Sequence, residues 1–109
     1  MYQITAAGSL AKDFDLRRQI RRAAISIMAN IAEGFERNRA TEFHQFLSMA
    51  KASCAELRSH LYVAFDAKHI EDKTFTNLLG QAEGLGRILG ALRVAVEKQR
   101  SISHRSKQH

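Results

Sequence analysis

The chain reads as an all-α protein, an up-down four-helix bundle with a shortened first helix. Three observations predict this. The 109 residues include no Pro, so nothing forces a break in a long helix. Apolar residues recur every three or four positions along most of the length, which is helix period and not strand period. Hydrophobic residues make up 45% of the chain, enough to build one core in a chain of single-domain size.

The elements follow in order. Residues 1–7 read as the stub of a first helix, closed by Gly8-Ser9. In Lys12-Asp13-Phe14-Asp15 the aspartates can cap the next helix by accepting backbone N–H bonds. From 16 to about 36 the apolar positions are Leu16, Ile20, Ala23, Ile27 and Ile31. Arg37-Asn38-Arg39-Ala40 breaks that helix, and Thr41 is placed as the N-cap of the following one. The second long helix carries Phe43, Phe46, Leu47, Ala50, Cys54, Leu57, Leu61 and Phe65. After a turn at Lys68-His69, a third begins near Glu71-Asp72 and carries Phe75, Leu78, Leu79, Ala82, Leu85, Leu89, Leu92 and Val96. The bundle domain thus spans 1–100. Residues 101–109, polar and basic, read as a disordered tail.

Two of these helices carry more apolar or small surface than one core needs. Ile25, Met28, Ala29 and Ala32 fall opposite the stripe of Leu16 and Ile27, and a helix apolar nearly all round is buried all round. In so small a domain the second face is expected to meet another subunit; the alternative is that these residues simply sit on the surface. The last helix shows Gly80, Gly84, Ile88, Ala91 and Ala95 opposite its leucines. Each helical glycine costs about 1 kcal/mol relative to alanine. With Gly86 and Gly90 counted, either another helix backbone comes close or the helix is frayed or kinked.

Composition narrows the function. No run approaches the roughly 20 apolar residues of a membrane span, and residues 1–10 lack a signal-peptide pattern. One cysteine, Cys54, forms neither a disulfide nor a metal-binding pair. A cytoplasmic protein is expected. The net charge is +6, with the excess at the two ends and the middle balanced. Such a balance favours polyanions, because phosphate contact releases counterions.

No catalytic constellation emerges, and no cofactor or metal is expected. His44, His60 and His69 form no zinc motif; Glu56 and His60 share a helix face as a surface contact more readily than as a metal site. Cys54 lies on the leucine stripe and reads as a small core residue. Ser26, Ser48, Ser53 and Ser59 have no base in view. Gly84-Leu85-Gly86, inside a helical pattern, is not a dinucleotide turn. Asn30 should be hydrogen-bonded within the bundle, and Glu33 can pair with an arginine of its own or of a neighbouring chain.

The basic residues are the candidate site. Arg17, Arg18, Arg21 and Arg22 form two i,i+4 pairs at the start of a helix, where like charges repel. A planar guanidinium fork suits phosphate oxygens. The other reading is a solvated face paired with Asp13, Asp15 or a neighbouring subunit. No aromatic is interleaved with these arginines, so backbone recognition is expected in place of base stacking. Arg37, Arg39, Lys98 and Arg100 are secondary contacts, with Arg105 and Lys107 beyond them.

The run Leu16-Arg17-Arg18-Gln19-Ile20-Arg21-Arg22-Ala23-Ala24-Ile25-Ser26-Ile27, continued by Ala29-Asn30-Ile31-Ala32-Glu33-Gly34-Phe35, resembles the signature of the four-helix-bundle family named for intervening sequences in bacterial 23S ribosomal RNA. Glu42-Phe43, Phe46-Leu47-Ser48, Ala50, Ser53 and Ala55-Glu56-Leu57 fit as well, so the likeness covers about 10–97. The family is similar to the accessory proteins of diversity-generating retroelements, which are pentameric, basic, and bind nucleic acid and a reverse transcriptase. The resemblance therefore implies a ring-like homopentamer associated with RNA or DNA, and no enzyme. A scaffold docking an acidic partner such as a retroelement reverse transcriptase is the alternative. Two departures stand out: Met28 occupies a position where the family usually has Pro, and residues 1–7 stand where members carry a long first helix.

Overall fold

The structure is a computed structural model that describes residues 8–108. Among them the fold is all-helical: a 3-10 turn, Gly8–Lys12, precedes three α-helices, α1 (Phe14–Glu36), α2 (Ala40–Asp66) and α3 (Asp72–Gln108). The three long helices expected are seen, while the expected stub over 1–7, the fourth helix of the bundle, lies outside the described residues. They form an elongated body of 61 × 21 × 16 Å.

The helices are antiparallel neighbours in sequence, and α2 packs extensively against both α1 and α3. The core follows the apolar period. Leu16, Ile20, Ala23 and Ile27 of α1 meet Leu47, Ala50, Cys54, Leu57 and Leu61 of α2, while Phe75, Ala82, Leu89 and Val96 come from α3. Leu10, from the 3-10 turn, is fully buried at one end of this core. Removing these side chains from water supplies the main drive to fold, about 25 cal/mol per Å² of apolar surface.

Local chemistry sets the helix ends. Asp13 caps α1, its carboxylate accepting from the Leu16 N–H at 3.2 Å. Its other oxygen lies 3.1 Å from His69 Nε2 in the turn between α2 and α3, tying the start of α1 to that turn. Lys68 in the same turn adopts φ 62°, the left-handed conformation that lets the chain reverse. At the opposite end, Gly34 lets α2 close on α1. A Cβ there would stand 2.9 Å from Phe43 Cδ1 and 3.2 Å from Phe46 Cβ.

Two boundaries depart from the sequence reading. Arg39, with extended backbone and no side-chain cap, precedes α2, so Thr41 lies inside the helix and not at its cap. The close packing over Gly34 fixes where the chain turns, and Ala40 is already helical there. Likewise α3 runs to Gln108, through the stretch expected to be a disordered tail, because no Pro or Gly after Gly90 interrupts it.

A polar seam joins α1 to α2. Ser26 Oγ and Ser53 Oγ are 2.8 Å apart, and Asn30 Nδ2 donates to the Ser26 carbonyl at 2.8 Å and to its hydroxyl at 3.1 Å. Asn30 is thus satisfied as expected. The serines that looked isolated in the sequence meet because 26 and 53 lie on facing turns. Cys54 is buried, and that burial pushes its thiol above the usual cysteine range.

Candidate nucleic-acid interface

Arg17, Arg18, Arg21 and Arg22 sit together on the first turns of α1, spanning about 7.5 Å of helix axis. They do not share one environment. Arg17 and Arg21 are half-buried, while Arg18 and Arg22 are exposed. Arg18 Nη2 lies 3.7 Å from Asp15 Oδ1, an exposed pair worth about 0–1 kcal/mol. Arg22 reaches across to α2, donating to Glu56 Oε1 at 3.1 Å and to Gln19 Oε1 at 2.9 Å. His60 Nε2 lies 3.4 Å from the same Glu56 oxygen, so Glu56 bridges the two helices.

One correction concerns aromatics. Phe14, three residues before Arg17, projects from the same side of the helix, and the Arg17 guanidinium lies over its ring at 4.6 Å. Phe14 is 65% exposed. The arginine row therefore has an aromatic at its edge, one helical turn away, where a reading along the chain saw none within the cluster.

The secondary contacts lie elsewhere. Arg37 and Arg39 close α1 at its far end, about 30 Å along the axis from Arg17. Arg37 pairs with Glu33 at 3.3 Å, the ion pair expected of Glu33, and also lies 5.4 Å from the Phe46 ring. Lys98 stands on α3 at that same end, next to Glu97, which approaches His44 of α2 at 3.9 Å. The Arg100 side chain lies outside the described residues, as do those of Arg105 and Lys107. The expected binding residues thus separate into two groups at opposite ends of the body.

The second apolar face of α1 is exposed within the protomer. Met28 is 64% and Ile25 53% accessible, and Ala29 and Ala32 are exposed too. On α3, Ile88 is 59% accessible. Among the described residues nothing lies within 4 Å of a Cβ built at Gly80, and a Cβ at Gly84 would meet only Arg87 of its own helix at 3.8 Å. No neighbouring helix backbone of the described residues comes against this glycine face, and α3 is not broken there.

Each of His44, His60 and His69 faces a carboxylate, and among the described residues no group of three or more His, Cys, Asp or Glu is placed to hold a metal ion. No helix of the described residues is long and apolar enough to cross a membrane. Sequence reasoning named Lys98 but missed the basic side chains near it in the structure, His44 and Lys51 of α2 and Arg93 of α3. No spacing signal could have joined the α2 pair to the α3 pair, since the two pairs lie more than 40 residues apart in different helices.

Compared with known proteins, residues 1–91 match the family described as 23S rRNA-intervening sequence protein. No curated protein and no solved structure matches the chain.

Proposed function

This chain belongs to the 23S rRNA-intervening sequence protein family, and from that premise we propose that it is a non-catalytic, basic, oligomeric protein that associates with RNA or other nucleic acid through phosphate contacts. The observation that carries the reading is the arginine row of α1. Four guanidiniums stand within two turns, and the carboxylates that Arg18 and Arg22 meet, Asp15 and Glu56, are exposed or half-exposed. An exposed pair such as Arg18–Asp15 yields readily to a phosphate, because the stronger charge-assisted bond replaces a marginal one. Contacts of this kind position the protein on a backbone and carry little sequence information. The proposed setting is the cytoplasm.

The proposal includes assembly as a ring-like homopentamer of four-helix type, with Ile25, Met28, Ala29 and Ala32 at the subunit interface. The exposure of Ile25 and Met28 in the protomer supports it, since completing their burial gains part of the about 1.5–3 kcal/mol that full burial of such a side chain is worth, and the two alanines add less. A ring would also repeat the arginine row around one axis, multiplying weak phosphate contacts.

The alternative is a scaffold whose basic face docks an acidic protein, such as the reverse transcriptase of a diversity-generating retroelement. The Arg18–Asp15 and Arg22–Glu56 pairs favour it to this extent: the row already accepts carboxylates.

The test is binding of the purified protein to structured RNA and to duplex DNA across a salt series. The comparison is a variant carrying Arg17→Gln, Arg18→Gln, Arg21→Gln and Arg22→Gln, with particle mass followed by light scattering. Four phosphate contacts predict about a hundredfold loss of affinity between 50 and 200 mM salt. Each lost arginine should lower the slope by about one unit. Salt-insensitive binding, or unchanged binding by an intact variant, would overturn the reading. No binding by an assembled wild type would favour the acidic protein partner.

A further inference from the structure

Phe14 is a large apolar side chain on the outside of the protein. It opens α1, is 65% exposed, and belongs neither to the core cluster nor to the partly buried side chains packed on it. Its ring is met by Arg17, whose guanidinium lies 4.6 Å from the ring centroid. Most of the ring stays open to a further flat partner.

Helix geometry sets this ring in line with the arginines. Phe14, Arg17, Arg18 and Arg21 stand at i, i+3, i+4 and i+7, so they share one face of α1, with Arg22 at its edge. From Phe14 to Arg21 is about 10.5 Å along the axis. That face lies opposite the buried stripe of Leu16, Ile20 and Ala23. The aromatic therefore heads a strip of guanidiniums on the outer side of the helix. Lys12 adds an exposed cation just before it. The carboxylates alongside are engaged: Asp13 with the Leu16 N–H and His69, and Asp15 with Arg18 at 3.7 Å. A nucleobase, like a guanidinium, is a flat group that lies on an aromatic face, and such a stack accepts any base. An apolar peptide could cover the ring too, but it would leave the adjoining arginines without a counter-charge.

We propose that Phe14, with Arg17, stacks an unpaired base of a nucleic-acid strand whose phosphates run along Arg18, Arg21 and Arg22. This rests on the phosphate-contact reading of the arginine row and specifies its ligand. The strand bears unpaired bases next to the phosphate contacts, as in a single-stranded stretch, a bulge or an overhang. The bases of an uninterrupted duplex are stacked on one another and closed to the ring. One base on one aromatic side chain is worth about five- to a hundredfold in affinity, and the phosphates supply the rest.

The full chain is titrated with a short RNA duplex bearing a single-stranded overhang, and with the same duplex whose overhang sugars lack their bases. The two probes carry the same phosphates, so a difference between them belongs to the bases. The wild type should bind the base-bearing overhang tighter by about fivefold or more. Phe14→Ala should bind both probes at the abasic level with its salt slope unchanged, since no phosphate contact is removed. Phe14→Trp should keep the preference. The chain has no Trp, so the new indole reports directly, its fluorescence quenched by the base-bearing overhang and not by the abasic one. Equal binding of the two probes by the wild type, or a preference that survives in Phe14→Ala, overturns the stacking site; salt-dependent binding of both probes would still leave the arginine row standing. Binding of neither probe overturns both. A fall in particle mass with Phe14→Ala assigns the ring to a subunit contact and overturns the proposal as well.

Discussion

Replacing Gly34 with alanine separates the two things that a helical glycine does. The new Cβ would stand 2.9 Å from Phe43 Cδ1 and 3.2 Å from Phe46 Cβ, closer than side chains normally approach, so α2 must shift outward or Phe43 must turn. Overpacking of this size costs about 1–3 kcal/mol. Alanine's better helix propensity returns up to about 1 kcal/mol, and less than that so near the end of α1. Gly34→Ala should therefore destabilise the protein by about 1–2 kcal/mol. Gly80→Ala supplies the control: nothing lies within 4 Å of its Cβ, so the propensity gain of about 1 kcal/mol stands alone. Urea unfolding followed by far-UV circular dichroism, with particle mass measured at each condition, reads both. The two variants should move the midpoint in opposite directions. Stabilisation of equal size by both would refute the close contact of α1 and α2 at Gly34. A drop in mass with Gly80→Ala would place another subunit's helix on the glycine face of α3.

Two further predictions concern single side chains. Asp13→Ala removes the cap of α1 and the His69 contact together, and should cost about 1 kcal/mol or somewhat more; Asp13→Asn keeps an accepting oxygen for Leu16 and should recover most of it, as read by thermal unfolding. Burial raises the Cys54 thiol, so folding favours its protonated form. The stability this confers is complete below the ordinary thiol pKa of about 8.5 and is lost as pH rises through the higher folded value. The denaturation midpoint should fall in alkaline buffer for the wild type and much less for Cys54→Ala; an identical fall in both would show that Cys54 is not the group responsible.

How much of this was legible in the sequence depended on whether the information was local. Leu16, Ile20, Ala23 and Ile27 announce the buried stripe of α1 because a helix repeats its own face every three or four residues, and all four are buried. Asp13 announced its cap for the same reason. Thr41 misled, since a capping side chain is useful only where the backbone turns, and contacts between α1 and α2 set that point at Arg39. The polar composition of 101–109 suggested a free tail, yet a segment without Pro or Gly continues a helix already nucleated by the packed turns before it. The four arginines of α1 were visible as a cluster, but not Glu56, the partner that Arg22 finds 34 residues away. Lys51 and Arg93 lay outside any pattern, because only the antiparallel packing of α2 on α3 brings them near each other.

The rows of residues seven apart connect the fold to the proposed assembly. On α2 both rows, Leu47-Cys54-Leu61 and Ala50-Leu57-Ala64, are fully buried, as befits a helix with a neighbour on each side. On α3 one row, Phe75-Ala82-Leu89-Val96, is buried against α2. The companion row is not: Leu78 and Leu85 are half-buried and Leu92 is 37% exposed. A helix with one buried row and a second, leucine-bearing row only partly packed against the core offers the beginning of a seam to another helix. Among the described residues the Leu78-Leu85-Leu92 row of α3 is thus only partly covered, on a side distinct from the glycine face, and α2 in turn leaves Met49, Tyr62 and Val63 half exposed. In the proposed oligomer that row and the Ile25-Met28 face of α1 are two places where added burial contributes, while covering the charged row Arg17-Arg18-Arg21-Arg22 would cost its solvation. Assembly that buries the leucines and leaves the arginines in water satisfies both demands at once.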